Sequence, residues 1–354
     1  MVCIGGYKVS VGDKSVIFLI GAGCSYEAGI PMSNTMIDDI EGKLVRNEDW
    51  NTYRDLYEYV KHTIEYGNKR NKNTQDFNIE SLLVTLHALA EHRKSILYPF
   101  ISGYANDLIE YAGRDFKKIN ELINKIEIEL PKWITQPNYQ SADYYIGFSR
   151  FQKESNYTVR IFSLNYDLCV ESQITEGVES GFELGKPWDR SRFTHTVDEE
   201  PDAPIYLYKL HGSIDWKREN NIVVRSQQQG IKPDIVFGTN DKIQAVDPYL
   251  FYLYEFRRYA LAAKIIVIIG YSFNDSHVNN LLKQSLEEDE TRRLLIINPS
   301  ITDSTFIVKK IGIINTAQSM SQIIVLPVGA KEFLTSILSV EYISKKLPND
   351  ELPF

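Results

Sequence analysis

The sequence predicts an α/β fold, a doubly wound parallel sheet carrying a helical insertion, and three observations predict it. Short, nearly continuous apolar and β-branched runs recur at residues 16–20, 158–164, 205–210, 234–237, 265–269, 294–297 and 323–326. Runs without polar alternation fit parallel strands that are covered on both faces. Residues 50–150 instead repeat apolar side chains at helical spacing, with Leu82, Leu83, Leu86 and Leu89 in one stripe and Phe116, Ile119, Leu122, Ile123, Ile126 and Leu130 in another. Finally, polar or glycine residues cluster where the strands end. The organisation expected is a Rossmann-like sheet begun in residues 1–50, a helical insertion over 51–150, the remainder of the sheet over 151–335 and a tail over 336–354.

Taken in order, the first strand runs into a turn, VIFLIGAGCSYEAGIP over residues 16–31. Glycines at such a strand-to-helix turn let backbone N–H groups and the helix end approach a phosphate with no Cβ in the way. The dinucleotide fingerprint G-x-G-x-x-G is incomplete, because its third glycine falls at Tyr26. A helix is expected over 33–45. The acidic residue that usually holds a ribose about 20 residues on has only Asp38, Asp39 and Glu41 as candidates, all inside this helical pattern, which leaves Asn298 at a later strand end as the better choice. Pro99 and Pro131 are expected to break helices. His87 and His92 read as structural or exposed, and residues 345–354 as a frayed end.

Composition narrows the function. With 354 residues and 43% hydrophobic side chains, a substantial core is available. A formal charge of −8 argues against a general binder of nucleic acid or anionic membrane, and Lys69-Arg70-Asn71-Lys72 reads as a solvated loop. Cys3, Cys24 and Cys169 form no CxxC pair, which excludes a cysteine zinc ribbon and suits a reducing cytoplasm. No run reaches transmembrane length. A lipoprotein-like LIGAGC stretch is discounted, since cleavage at Cys24 would remove the first strand.

Open parallel sheets bind ligands beyond the carboxyl ends of their strands. The end residues here are Gly21–Ser25, Asn165 and Asp167, His211 and Ser213, Gly270, Ser272, Asn274 and Asp275, and Asn298. Each has a bland alternative: Asn165 or Asp167 as a helix cap, His211 as a satisfied core histidine, Gly270 as a turn. Their joint placement favours a site.

Together these segments resemble the sirtuin superfamily. Gly21-Ala22-Gly23-Cys24-Ser25 with Ala28-Gly29-Ile30-Pro31 is similar to its GAG-x-S and GIP motif, Ser163-Leu164-Asn165-Tyr166-Asp167 to its T-Q-N-x-D motif, His211-Gly212 to its HG pair, Gly270-Tyr271-Ser272-Phe273 to its G-T-S loop, and Asn298 to its adenosine-side asparagine. The resemblance implies NAD as substrate. Two departures put lysine deacylation in doubt: the four zinc-binding cysteines are missing, so no zinc is expected, and Met32-Ser33-Asn34 follows GIP where deacylases have an acidic residue, Phe and Arg. The LNYD, LHGS and GYSF-x-D forms resemble the bacterial antiphage sirtuin-like proteins that hydrolyse NAD. That likeness implies an NAD+ nucleosidase, self-assembly, and a HerA-type ATPase, an Argonaute-like protein or another defence partner, with no fused sensor expected beyond the last strand.

On this reading Asn165 bonds ribose hydroxyls or water, His211 is a general base, and Asp167 holds the ribose or stabilises positive charge. The backbone at Gly21, Ala22 and Gly23 takes the pyrophosphate, with Ser25, Gly270, Ser272, Phe273 and Asn298 completing the binding set. Cys24 has no base paired with it in sequence and is not expected to be a nucleophile. Residues 238–242 read as a supporting loop or gate. A deacylase or ADP-ribosyltransferase, or an NAD- or ADP-ribose-binding sensor without turnover, remains an alternative.

Overall fold

The computed structural model describes residues 3–4, 7–8, 15–70, 77–92, 106–113, 115–136, 138–193, 204–226, 233–236, 246–312 and 320–348. From Val16 onward the strands are β1 (Val16–Ile20), β2 (Val159–Ser163), β3 (Val178–Glu179), β4 (Ile205–Lys209), β5 (Trp216–Glu219), β6 (Ile222–Arg225), β7 (Ile265–Ile269), β8 (Arg293–Ile297) and β9 (Ile323–Leu326), and β1, β2, β4, β7, β8 and β9 form where the apolar runs predict them. Among the described residues, seven of them make one parallel sheet in the order β9-β8-β7-β1-β2-β4-β3. The chain starts in the middle at β1, builds outward through β2, β3 and β4, then crosses back to β7 on the other side of β1. The order therefore reverses at β1, where an open α/β sheet leaves a crevice at its carboxyl edge.

Alternation within the strands divides the core in two. Val16, Phe18 and Ile20 of β1 join Ile161, Leu207 and Val267 on one face, whereas Ile17 and Leu19 join Phe162, Tyr208, Ile266 and Ile268 on the other. The first face is covered by α1 (Ser33–Arg46), α2 (Arg54–Arg70), α3 (Ile79–His92), α4 (Asn106–Ala112), α5 (Lys117–Ile134), α6 (Ile146–Ser155), α7 (Cys169–Gln173) and, near the C-terminus, α11 (Val340–Ser344). The second is covered by α8 (Tyr249–Ala262), α9 (Ser276–Glu288) and α10 (Ser304–Ile311). The helices within residues 51–150 share one continuous core with β1. Phe148 and Phe151 of α6 meet the Phe18 ring edge-on at 5.2 and 5.5 Å.

The structure departs from the sequence expectation at several points. Pro131 does not break its helix: α5 continues to Ile134, and the Thr135 N–H donates to the Pro131 carbonyl. In the last turn proline removes only its own N–H bond, and the buried Leu130 and Ile134 on either side hold the turn on the core. The run at 234–237 is not a sheet strand among its described residues: Ile235 makes a single antiparallel bridge to Gly212, and Phe237 lies outside the described residues. The edge strand β3 and the antiparallel hairpin β5–β6 were not expected from the apolar pattern. His87 is tied to Glu127 at 3.4 Å between α3 and α5. Pro99, the 238–242 loop, Asn71 and Lys72, the side chains of Cys3 and His92, and residues 349–354 lie outside the described residues.

Candidate active site at the carboxyl edge

Register places the motifs at one height. Ile20 pairs with both Ile269 and Ser163, Ser163 with Lys209, and Ile269 with Ile297. Gly21, Gly270 and Asn298 each lie one residue past this row, and Asn165 and His211 two past it on adjacent strands. Five sequence-distant segments thus emerge side by side.

The glycines fit one another. The Gly21 N–H donates to the Ile269 carbonyl and the Gly23 N–H to the Gly270 carbonyl, both at 2.9 Å. A Cβ on Gly21 or Gly23 would lie 2.9 Å from Gly270 backbone atoms, and one on Gly270 would lie 2.1 Å from the Cys24 nitrogen. Gly270 also has φ +65°, a conformation that favours glycine. Close approach of two backbones is therefore the first reason for these glycines. The amides of Gly21, Gly23, Cys24 and Ser25 all have carbonyl partners within the fold, while Ala22 is exposed at the apex of the turn.

Behind the turn lies a buried polar hub. Ser25 is fully buried; its Oγ donates to Asp167 Oδ2 at 2.7 Å, accepts from Asn165 Nδ2 at 3.0 Å, and meets the Tyr145 hydroxyl at 2.7 Å. Asn165 also donates through Nδ2 to the Gly21 carbonyl at 3.0 Å, so its amide hydrogens hold the glycine turn in place. Asp167 Oδ1 accepts from the Cys169 N–H at 3.0 Å at the start of α7. Both carboxylate oxygens of Asp167 are thus engaged inside the wall, and Ser25 is part of that wall rather than presented to the crevice. Tyr144, next to Tyr145 in the 3-10 turn Gln140–Tyr145, donates to the Cys24 carbonyl at 2.6 Å. Burial first, then the Cys24 and Asp167 charges, hold the Tyr145 hydroxyl well above its ordinary pKa. Burial pushes the Cys24 thiol up to about 12, which removes the thiolate that a nucleophile needs.

Lys209, the last residue of β4, lies beneath this hub with a 2% exposed side chain. It donates to Glu171 at 3.1 Å, to Ser213 Oγ at 2.9 Å and to the Asp167 carbonyl. Burial raises the Glu171 carboxyl pKa, and the Lys209 charge opposes that shift.

His211 leaves β4 through Gly212, whose φ is +87° and whose added Cβ would sit 2.4 Å from the Asp234 carbonyl. This turn carries His211 towards α9, where its Nε2 lies 3.0 Å from Asp275 Oδ2, both side chains being buried. Asp275 is also the N-cap of α9, accepting from the His277 and Val278 N–H groups through Oδ1. A carboxylate fixed by a helix start and aimed at an imidazole nitrogen orients that ring. Tyr271 supports the loop by accepting the Asp275 N–H and reaching Asn279 Oδ1 at 2.9 Å. Ser272 is exposed, whereas Phe273 is buried against Tyr271 with ring centroids 4.7 Å apart. Asn298 is half-buried and closes its own turn by accepting the Ser300 N–H at 2.9 Å.

Sequence reasoning missed Tyr144, Tyr145 and Lys209, and noted Asp275 without giving it a role. A lysine closing the otherwise apolar IYLYK run was the available signal for Lys209. Nothing in the local pattern marks the tyrosine pair, which lies 120 residues from its partners. Among the described residues no cluster of three His, Cys, Asp or Glu side chains is arranged to hold a metal ion, and no helix is long and apolar enough to cross a membrane.

The fold and this edge define a Rossmann-like α/β protein, and part of the chain is similar to a known family. Residues 159–310 match the SIR2-like domain family, a span that contains Asn165, His211, Gly270, Asp275 and Asn298. No curated protein matches the chain. Among solved structures, it is similar to a Sir2 homologue in complex with 2′-O-acetyl ADP-ribose, with 16% identity over 96% of this chain and 95% of that one and a TM-score of 0.45. It is also similar to a Sir2 homologue in complex with NAD, with 15% identity over 91% and 86% of the two chains and a TM-score of 0.44.

Proposed function

We propose that this chain is an NAD+ glycohydrolase that releases nicotinamide and leaves ADP-ribose, acting as a bacterial antiphage effector by depleting NAD. The observation that carries the reading is the His211–Asp275 pair, set one strand from Asn165 at the edge where the sheet order reverses. The resemblance of the five motifs supports NAD as the substrate, and exposed Ala22 and Ser272 beside the reversal fit a pyrophosphate that needs N–H and O–H donors.

The reaction breaks the bond between ribose C1′ and the nicotinamide nitrogen and forms one from C1′ to a water oxygen. Nicotinamide leaves with the bonding pair and so departs neutral, and the net products are ADP-ribose, nicotinamide and one proton. Because the leaving group is already cationic, the protein must chiefly orient the ribose and take the proton from water. His211 takes that proton, and Asp275 holds the ring and stabilises the imidazolium that forms. With both amide hydrogens of Asn165 engaged, its Oδ1 is what it offers to a ribose hydroxyl or to water. Asp167 acts through Ser25 and Asn165 as a positioning residue. Asn298 serves the adenosine side. Homo-oligomerisation, or a HerA-type ATPase or other defence partner, would hold the activity in check.

The test is nicotinamide release by purified protein beside Asn165→Ala and His211→Ala across a range of protein concentrations. Release abolished in both variants, with the fold intact, supports the assignment; unchanged turnover in both overturns it. Saturable binding of NAD or ADP-ribose with no release at any concentration would favour the sensor reading.

A further inference from the structure

We infer that α8 is a self-association surface, which two copies of this chain bury by packing their α8 helices antiparallel about a two-fold axis at the level of Tyr252. A helix covering a sheet is expected to be apolar inward and polar outward. The neighbouring α9 obeys, exposing Asn280, Glu287 and Glu288. In contrast, α8 carries large apolar side chains on its outward face as well. Phe251, Tyr252, Phe256 and Tyr259 are buried inward, yet Leu250 is 45% and Tyr254 56% exposed outward, with Val246 exposed just before the helix.

The outward residues follow a seam. Asp247, Leu250, Tyr254, Arg257 and Leu261 are separated by three, four, three and four positions, the spacing of a helix edge that packs along a second helix. Asp247 is exposed and held at the helix start by accepting the Phe251 N–H at 3.2 Å. Arg257 is exposed and makes no ion pair among the described residues, whereas its neighbour Arg258 is paired with Glu255 at 2.5 Å.

This pattern is self-complementary. In an antiparallel pair that sets Leu250 of one copy against Tyr254 of the other, the same register sets Asp247 against Arg257. The apolar pair and the charge pair share one two-fold centre, as an isologous contact requires. Opposite charges flanking an apolar seam fix register and favour this partner over others. The inference is independent of the proposed activity, since none of these residues is in the site described above.

The experiment is sedimentation equilibrium of the full chain from nanomolar to high micromolar concentration, with circular dichroism melts as controls for folding. A reversible monomer–dimer equilibrium is expected. Tyr254→Glu and Leu250→Glu, both on an exposed face, should weaken it by about thirtyfold or more without lowering the melting temperature. Asp247→Arg and Arg257→Asp should each weaken it by about tenfold, and the double charge swap should restore it. The swap is the decisive arm, because damage to the Asp247 helix start would not be repaired by changing Arg257. A monomer at every concentration, association untouched by Tyr254→Glu, or a double swap no better than the single changes would each overturn the inference.

Discussion

Replacing Ser25 with alanine separates two roles that the sequence leaves together. On the sequence reading its hydroxyl contacts a ligand, and its loss would weaken binding while leaving the fold alone. In the structure the hydroxyl is fully buried and joins Asp167, Asn165 and Tyr145. Ser25→Ala leaves one buried carboxylate oxygen without its donor, which costs about 1.5–3 kcal/mol, and a buried amide hydrogen and a phenol short of a partner, each about 1 kcal/mol or more. Since the three groups share one network, the sum is not additive; a net loss of about 3–5 kcal/mol is expected. That is a large share of the roughly 5–15 kcal/mol that keeps a domain folded. Urea unfolding followed by circular dichroism and tryptophan fluorescence reads it as a lowered midpoint. Tyr145→Phe, which removes one of the three contacts, should cost about 1 kcal/mol by the same assay. A Ser25→Ala loss below about 1 kcal/mol, or one no larger than that of Tyr145→Phe, would refute the hub as the reason for this serine.

Three other outcomes follow from the same geometry. Asp275→Asn keeps an oxygen to cap α9 but loses the charge facing His211, so nicotinamide release should fall by about a hundredfold or more with thermal stability changed by less than about 1 kcal/mol; equal losses of activity and stability would point to a cap alone. Gly270→Ala places a Cβ 2.1 Å from the Cys24 nitrogen at positive φ, and should cost more than about 4 kcal/mol or abolish soluble expression; a stably folded variant would contradict the close approach of the β1 and β7 turns. Burial lifts the Cys24 thiol from 9.0 to about 12, so the unfolded thiol ionises first. Its contribution to stability is therefore full below pH 9.0 and lost as pH rises towards 12, at about 1.4 kcal/mol per pH unit. Cys24→Ala should flatten that slope in urea unfolding between about pH 8 and about pH 10.5, and native protein should resist thiol labelling at neutral pH.

The layers, and the row past the strand ends where polar residues gather, were legible in the order of the amino acids. Continuous β-branched runs can be buried only in a sheet covered on both sides, and the strands at 265–269 and 323–326 are where the pattern places them. Helical spacing likewise located α1, α3 and α5, and the polar residues after each strand marked the edge where Asn165, His211 and Gly270 meet. Tertiary structure alone decided what these residues touch. Ser25 and Asp167 look like ligand contacts in sequence, yet Tyr145, reaching back 120 residues, closes them into a wall. Asp275 has no role assigned by its place in the sequence; in the fold it caps α9, and the turn at Gly212 brings His211 within 3.0 Å of its second oxygen. Periodicity reports which face of an element avoids water, because burial depends on each side chain separately. A hydrogen bond or ion pair depends on two side chains at once, and chain crossings set that distance over tens to hundreds of residues.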